Sequence, residues 1–230
     1  ETRYQINGLN LYCYCGNDPV NRFDPSGYAW EWSSFWQGVG YLVTGIGAIV
    51  AGALVIASSV ATWPILLIAG ITIGAGALTT INGVSEVVEA GTGYNFVEDT
   101  IFGGNSSAYN MYATITGTIA TIGSIVCGGW YKYNTPRIQA YRSLNTYNVK
   151  GKHLPGSAGN WNKFSSANQT YLRSLGKSAI KNTPMSRLIT NSPDSYKLIY
   201  DFGSVIGTSG QSSIRLVFSY AGKIITFFPF

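Results

Sequence analysis

The chain is poor in the residues that ordinarily carry enzyme chemistry. It has one histidine and three cysteines among 230 residues, and from Lys150 to Phe230 it has no glutamate. A single imidazole cannot assemble a zinc site of ordinary type and no Cys/His cluster has ligand spacing, so neither metal nor cofactor is expected. Cys13 and Cys15 fall on one side of an extended segment, and Cys127 stands alone in an apolar run. That excludes a disulfide framework and leaves them as packing residues. A serine hydrolase would need a Gly-x-Ser-x-Gly elbow beside His153, a P-loop would need a Lys near the glycines of 203–210, and Mg²⁺ would need a carboxylate cluster. The chain offers none of these.

Charge is the second scarcity. Fifty-four residues, Trp32 to Ser85, pass without Asp, Glu, Lys or Arg. Within them Val39 to Val60 is long enough to cross a bilayer core of about 30 Å as a helix, and Ile65 to Ile81 nearly so, with Thr62-Trp63-Pro64 between them. Met111 to Val126 is a third apolar segment, and GIGAIVAGA and GITIGAGA permit close helix contact. These stretches either insert into a membrane or form a helical bundle packed on itself or inside a larger body. An aromatic patch, Trp30, Trp32, Phe35 and Trp36, leads into them.

The charges that exist are segregated. Residues 1–129 hold Arg3 and Arg22 against eight acidic side chains, net −6, whereas residues 130–230 hold thirteen basic side chains against Asp194 and Asp201, net +11. A carboxylate-poor basic module suits a polyanion, since each neutralised phosphate releases counterions. A bare basic surface, anionic lipid and an acidic protein partner stay open on charge alone.

Near the start, Asn10 to Tyr28 reads NLYCYCGNDPVNRFDPSGY. Asp18-Pro19 and Asp24-Pro25 each impose an extended residue before a fixed φ, and Ser26-Gly27 supplies a turn. This stretch resembles the end of the core shell of Rhs/YD-repeat proteins, where Asp-Pro-x-Gly separates a cage from a variable toxin cargo. The resemblance implies a cleavage boundary at Asp24, Pro25, Gly27 and Tyr28, the last standing where a Leu is common. The chain begins at Glu1 without a signal peptide, so the expectation is the C-terminal piece of a longer exported protein. YNFVEDTIFGGNSSAYNMYATITGTIATIGS is similar to the glycine-rich pre-toxin region of WapA-like proteins, which points to delivery.

Residues 130–149 read as a basic aromatic linker in which Thr135-Pro136 stops any helix. Beyond it, Ser165 or Ser166 caps a helix running to about Lys181, with Tyr171, Leu172, Leu175 and Ala179 as its apolar stripe. The period then changes to two, predicting strands at Tyr196–Asp201, Val205–Thr208, Ser212–Tyr220 and Lys223–Phe228. A two-residue turn at Ala221-Gly222 pairs Val217 with Thr226 and Phe218 with Ile225. It puts Ile214, Leu216, Phe218, Ile225 and Phe227 on the core face, with Arg215 diagonal to Thr226 opposite. The expected architecture is multi-part: 1–28 as the end of a shell, 29–130 as a helical glycine-rich apolar region, 131–149 as a linker, and 150–230 as an α+β domain of one helix and a four-stranded antiparallel sheet.

His153, in NVKGKHLPGSAGNW, is the only side chain whose unperturbed pKa lies near neutrality, and Lys150 and Lys152 flank it. Metal-free RNA cleavage needs a base for the ribose 2′-OH, an acid for the departing 5′-oxygen and fixed positive charge. His153, Lys152, Arg215 and Thr226 or Thr208 are of those types, and Lys150, Lys163, Arg173, Lys177 and Lys223 are the candidate RNA-binding cations. KGKHLPGSAGNWNKF, VIGTSGQSSIRLVFSY and GKIITFFPF are similar to toxins of the barnase/EndoU/colicin D/RelE ribonuclease superfamily. That resemblance implies an α+β ribonuclease leaving a 2′,3′-cyclic phosphate, tRNA as substrate, and an immunity protein as partner. It assigns His153 as base or acid, Arg215 as phosphate clamp, and Thr208 and Thr226 as phosphate-bonding hydroxyls. The Rhs resemblance implies delivery from the cell surface into a target cytoplasm and an Rhs shell on the parent chain, and the apolar spans add the expectation of transient membrane contact. The competing expectation is a pore or translocation protein acting through residues 38–127.

Overall fold

A computed structural model describes residues 30–191 and 193–230. The boundary residues Asp24, Pro25, Gly27 and Tyr28, with Cys13 and Cys15, lie outside the described residues. The chain is mostly helical, with a four-stranded antiparallel sheet near its C-terminus. Three long helices come first, α1 (Trp32–Ile56), α2 (Trp63–Thr92) and α3 (Ser106–Ser143). Packing divides the described residues into two units, one combining 30–47 with Ala75–Thr121, the other combining Ala48–Gly74 with Ile122–Phe230.

In the first unit α1 and α2 meet through glycine. A Cβ on Gly38 would lie 2.8 Å from the Gly83 carbonyl oxygen, and one on Gly45 would lie 2.6 Å from that of Gly76. The seven-residue step between these contacts is the repeat that keeps one seam of a helix facing its partner. The second unit continues the step with Gly52, where a Cβ would lie 2.8 Å from the Ala69 carbonyl oxygen. α1 ends where the Ser58 hydroxyl donates to the Val55 carbonyl (2.6 Å) and Ser59 takes a φ of 61°. α2 restarts with Pro64 in its first turn, where a missing N–H costs nothing.

The expected linker is largely helix. α3 runs through Pro136 to Ser143, although Pro136 offers no N–H to the Lys132 carbonyl four residues earlier. Asn134 donates to the Trp130 carbonyl (2.9 Å) and Thr135 to that of Tyr131 (3.0 Å). Burial of the helix's final turns holds it in place: Ile138, Ala140 and Leu144 join Phe164, Leu172, Ile180, Leu198, Leu216 and Phe227 in one core.

That core belongs to an α+β layer in the second unit. α4 (Gln169–Asn182) is capped by Asn168, whose side chain accepts from Thr170 and Tyr171 N–H, three residues after Ser165 and two after Ser166, the expected caps. Its buried stripe is Leu172, Leu175, Gly176, Ala179 and Ile180, while Tyr171 is exposed. The sheet order is β1 (Ile189–Asn191), β2 (Ser195–Asp201), β3 (Ser213–Ser219), β4 (Ile224–Pro229). Residues 205–208, expected as a strand, form a turn with a single bridge between Phe164 and Gly207, and β1 on the far edge is the fourth strand. α4 packs on β2 and β3.

The last hairpin follows the expected register at Val217 with Thr226 and Leu216 with Phe227, then shifts at a bulge so that Phe218 faces Ile224. Ser219 N–H donates to the Lys223 carbonyl and Gly222 takes a φ of 80°, which makes a three-residue loop with glycine in the left-handed position. Ile224 therefore takes the buried place expected for Ile225, and Ile225 is exposed.

Candidate functional site

The sheet face turned away from α4 carries the candidate chemistry. Alternation from the observed register puts Lys197, Ile199, Arg215, Val217, Thr226 and Phe228 on it. Arg215 stands directly across from Phe228, with Thr226 diagonal to it as expected. The Phe228 ring stacks on His153 with centroids 4.9 Å apart and planes 15° apart. Phe228 is thus the cross-strand neighbour of Arg215 and the ring on which His153 stacks.

His153 closes a 3₁₀ turn, Gly151–His153, and is only 4 % exposed. Its Nδ1–H donates to the Asn162 carbonyl (2.9 Å), which leaves Nε2 as the acceptor nitrogen of the neutral ring. Trp161 meets the imidazole edge-on at 6.2 Å, and Lys152 Nζ sits 3.9 Å above the Trp161 ring. Burial, the largest influence, holds the imidazole below its ordinary pKa; the Asn162 bond pulls upward, and Lys152 and Lys150 add to the lowering. The Pro-Gly turn after His153 therefore does not expose the ring, because the following loop folds it onto Phe228. Arg215 places its guanidinium 5.2 Å from the Phe230 ring centroid, and its Nε is buried without a hydrogen-bond partner among the described residues.

The other predicted residues are dispersed. Thr208 lies in the exposed turn, where its N–H and hydroxyl both donate to the Lys163 carbonyl, at 2.9 Å and 3.4 Å; without a 205–208 strand nothing carries it to the sheet face. Arg173 is committed to structure, its Nε donating to the Tyr147 carbonyl (2.7 Å) and its NH2 to Asn148 Oδ1 (2.6 Å). Lys163 Nζ donates to the Ser157 carbonyl (2.6 Å), and Lys177 sits 5.4 Å from the Tyr141 ring centroid. Lys150 and Lys223 are exposed. Phe228 and Trp161, which frame the imidazole, were not singled out from sequence. The register placed Phe228 on Arg215's face, but no local spacing links Trp161 to His153.

A second candidate surface lies on the long helices. Several polar side chains point inward and most large apolar ones outward, although Thr114, Thr118 and Thr121 of α3 are exposed and Val55 and Ile65 are buried. In the first unit Thr79, Asn82, Ser85, Glu86 and Thr116 are buried, Asn82 Nδ2 donating to Thr116 Oγ1 (3.3 Å) and Tyr109 OH to Glu86 Oε1 (2.6 Å). In the second, Thr72 is buried with its Oγ1 3.7 Å from Cys127 Sγ. Val43, Ile46, Leu78, Ile81, Ile115 and Ile119 are exposed in the first unit, and Val50, Ile71, Ile122 and Ile125 in the second. All three helices are long and apolar enough to cross a membrane. Compared with known proteins, the chain matches no family model, no curated protein and no solved structure.

Proposed function

We propose that this chain is the C-terminal part of a delivered toxin whose three apolar helices enter a lipid bilayer. The observation that carries the reading is the distribution along those helices: Thr72, Thr79, Thr116, Asn82 and Glu86 are buried, while most of the valines, leucines and isoleucines are exposed. In water that arrangement exposes apolar area at about 25 cal/mol for each Å² and desolvates polar groups as well. In lipid both terms change sign, since outward apolar side chains are solvated and inward polar ones pair between helices. α1 carries no charged residue, α2 has Glu86 and Glu89 only near its end, and α3 has none before Lys132. Trp32 and Trp36 at the start of α1, Trp63 at the start of α2 and Trp130 next to Lys132 in α3 suit the interfacial belts that anchor such helices. The test is the full chain added to vesicles containing bromine-labelled lipids. Quenching of tryptophan that depends on bromine depth supports insertion, and quenching absent at every depth overturns it.

A second reading assigns the basic C-terminal domain as a metal-free ribonuclease, favoured by Phe228, which stacks on His153 and lies across from Arg215. His153 Nε2 would take the 2′-OH proton as that oxygen attacks phosphorus. The P–O5′ bond breaks, leaving a 2′,3′-cyclic phosphate, and the departing oxygen receives a proton from Lys152 or the imidazolium. Arg215 would hold the phosphoryl oxygens, its unpaired Nε–H being one donor. Because the imidazole is covered, substrate must lift the segment carrying Trp161. RNA, with tRNA first, would be the substrate, and an acidic immunity protein a complementary partner. Sequencing RNA ends after incubation with the full chain tests it: cyclic-phosphate ends lost in His153→Gln and Arg215→Gln support the reading, and intact RNA or an unaffected His153→Gln defeats it.

A further inference from the structure

We propose that the cavity beside Arg137 is a seat for the phosphate headgroup of an anionic glycerophospholipid, an inference that rests on the membrane reading above. The cavity has a volume of about 380 Å³ and lies wholly in the second unit. One wall is a single stripe of α3, since Trp130, Tyr133, Asn134 and Arg137 follow the i, i+3, i+4, i+7 spacing of one helix face. The facing wall is the end of α4 with Lys181, and the turn between α1 and α2 contributes Val60 and Thr62.

The lining is cationic. Among the described residues Arg137 and Lys181 are its charged lining, and no carboxylate lines it. Arg137 is 4 % exposed, so its guanidinium is desolvated. Its Nη1 donates to Asn134 Oδ1 (2.6 Å) and its Nη2 to the Ile180 (2.8 Å) and Lys181 (3.3 Å) carbonyls, while its Nε has no partner among the described residues. Those carbonyls are the negative end of α4, equivalent to about half a charge, which Arg137 offsets. Lys181 and the remainder of Arg137 leave the cavity positive, and a buried cation with unspent donors is stabilised by an anionic oxygen.

Position along the helices selects lipid over a soluble anion. Thr62 directly precedes Trp63, which is 75 % exposed, and Trp130 lies two residues before Lys132, the first charge in α3. Both tryptophans stand where apolar sequence gives way to polar, the depth of headgroups in a bilayer. A phosphate there meets Arg137 and Lys181 while its acyl chains continue along the exposed isoleucines and valines. The volume falls within the range of small-molecule sites.

The experiment is native mass spectrometry of the full chain in zwitterionic micelles, offered dioctanoyl-phosphatidylglycerol, dioctanoyl-phosphatidylcholine or inorganic phosphate separately. One phosphatidylglycerol retained per chain, with little phosphatidylcholine, is expected. Lys181→Gln should lower that occupancy about fivefold, the loss for one lysine near a lipid phosphate. Lys132→Gln removes the same charge from an exposed position outside the cavity and should leave occupancy as in the wild type. Arg137→Gln should abolish retention, with Lys181→Gln deciding the matter if that variant unfolds. Equal losses in Lys181→Gln and Lys132→Gln, retention of both lipids alike, or binding of inorganic phosphate without the lipid would each overturn the headgroup seat. If the chain inserts into vesicles but shows no phosphatidylglycerol preference, only this inference fails; if it does not insert, the membrane reading falls first.

Discussion

Replacing Gly45 by alanine isolates the closest contact in the first unit. Its new Cβ would lie 2.6 Å from the Gly76 carbonyl oxygen and 2.7 Å from Thr80 N, both backbone atoms. Real Cβ contacts fall short of 3.0 Å almost never, so α1 and α2 must move apart. Overpacking of this kind costs about 1–3 kcal/mol. Alanine in a helix interior recovers about 0.5–1 kcal/mol relative to glycine, so the net loss should be about 1–2 kcal/mol. Gly47, two residues on, supplies the control, because a Cβ there meets nothing within 4 Å. Gly47→Ala should therefore gain the propensity term undiminished, and the two variants should differ by about 2 kcal/mol. For a chain of this size that separates their thermal midpoints by about 4–8 °C. Thermal unfolding by far-UV circular dichroism, with both variants in the same detergent or buffer, measures it directly. If Gly45→Ala proves as stable as Gly47→Ala, the glycine seam is not a packing requirement and the argument for close helix contact fails.

Three further outcomes follow from the same geometry. His153 is held below its ordinary pKa, so in the acid range the unfolded chain binds the extra proton and the folded one does not. Its contribution is complete above the unfolded value of about 6.5 and is lost as pH falls from there toward the folded value; urea midpoints at about pH 7.5 and about pH 5.5 should separate in the wild type and converge in His153→Phe. A fragment spanning 145–230 lacks Ile138, Ala140 and Leu144 of the core and should show broad, non-cooperative unfolding, whereas sharp unfolding would show that the end of α3 is dispensable. Gly222→Ala combines a φ of 80° with a Cβ 2.7 Å from Ala140 N, while Gly210→Ala has a φ of 83° and open space; the first should cost about 2 kcal/mol more than the second in denaturant titrations.

Much of the C-terminal sheet was legible because strand alternation is a local property. Arg215, Thr226 and Phe228 follow from period-two spacing and a hairpin turn, and they share a face in the structure. The exchange of Ile224 for Ile225 was not legible, since it depends on the left-handed Gly222 and on how closely the hairpin approaches α3 at Ala140. Thr135-Pro136 misled for a related reason. A proline is a reliable local breaker only while nothing else stabilises the helix, and here Ile138, Ala140 and Leu144 are buried beyond it.

The apolar length of three segments, the segregation of charge and the presence of one imidazole are properties of composition and order, readable without coordinates. Which side of each helix faces inward, which cations are spent on backbone carbonyls, and what covers the imidazole are decided between residues far apart in the chain. Arg137 shows the difference most plainly. By sequence it is one basic residue among thirteen after residue 129; in the fold it is a desolvated guanidinium holding the end of α4 with one donor unspent, because burial and hydrogen-bond partners are set by tertiary contact and not by neighbours in sequence.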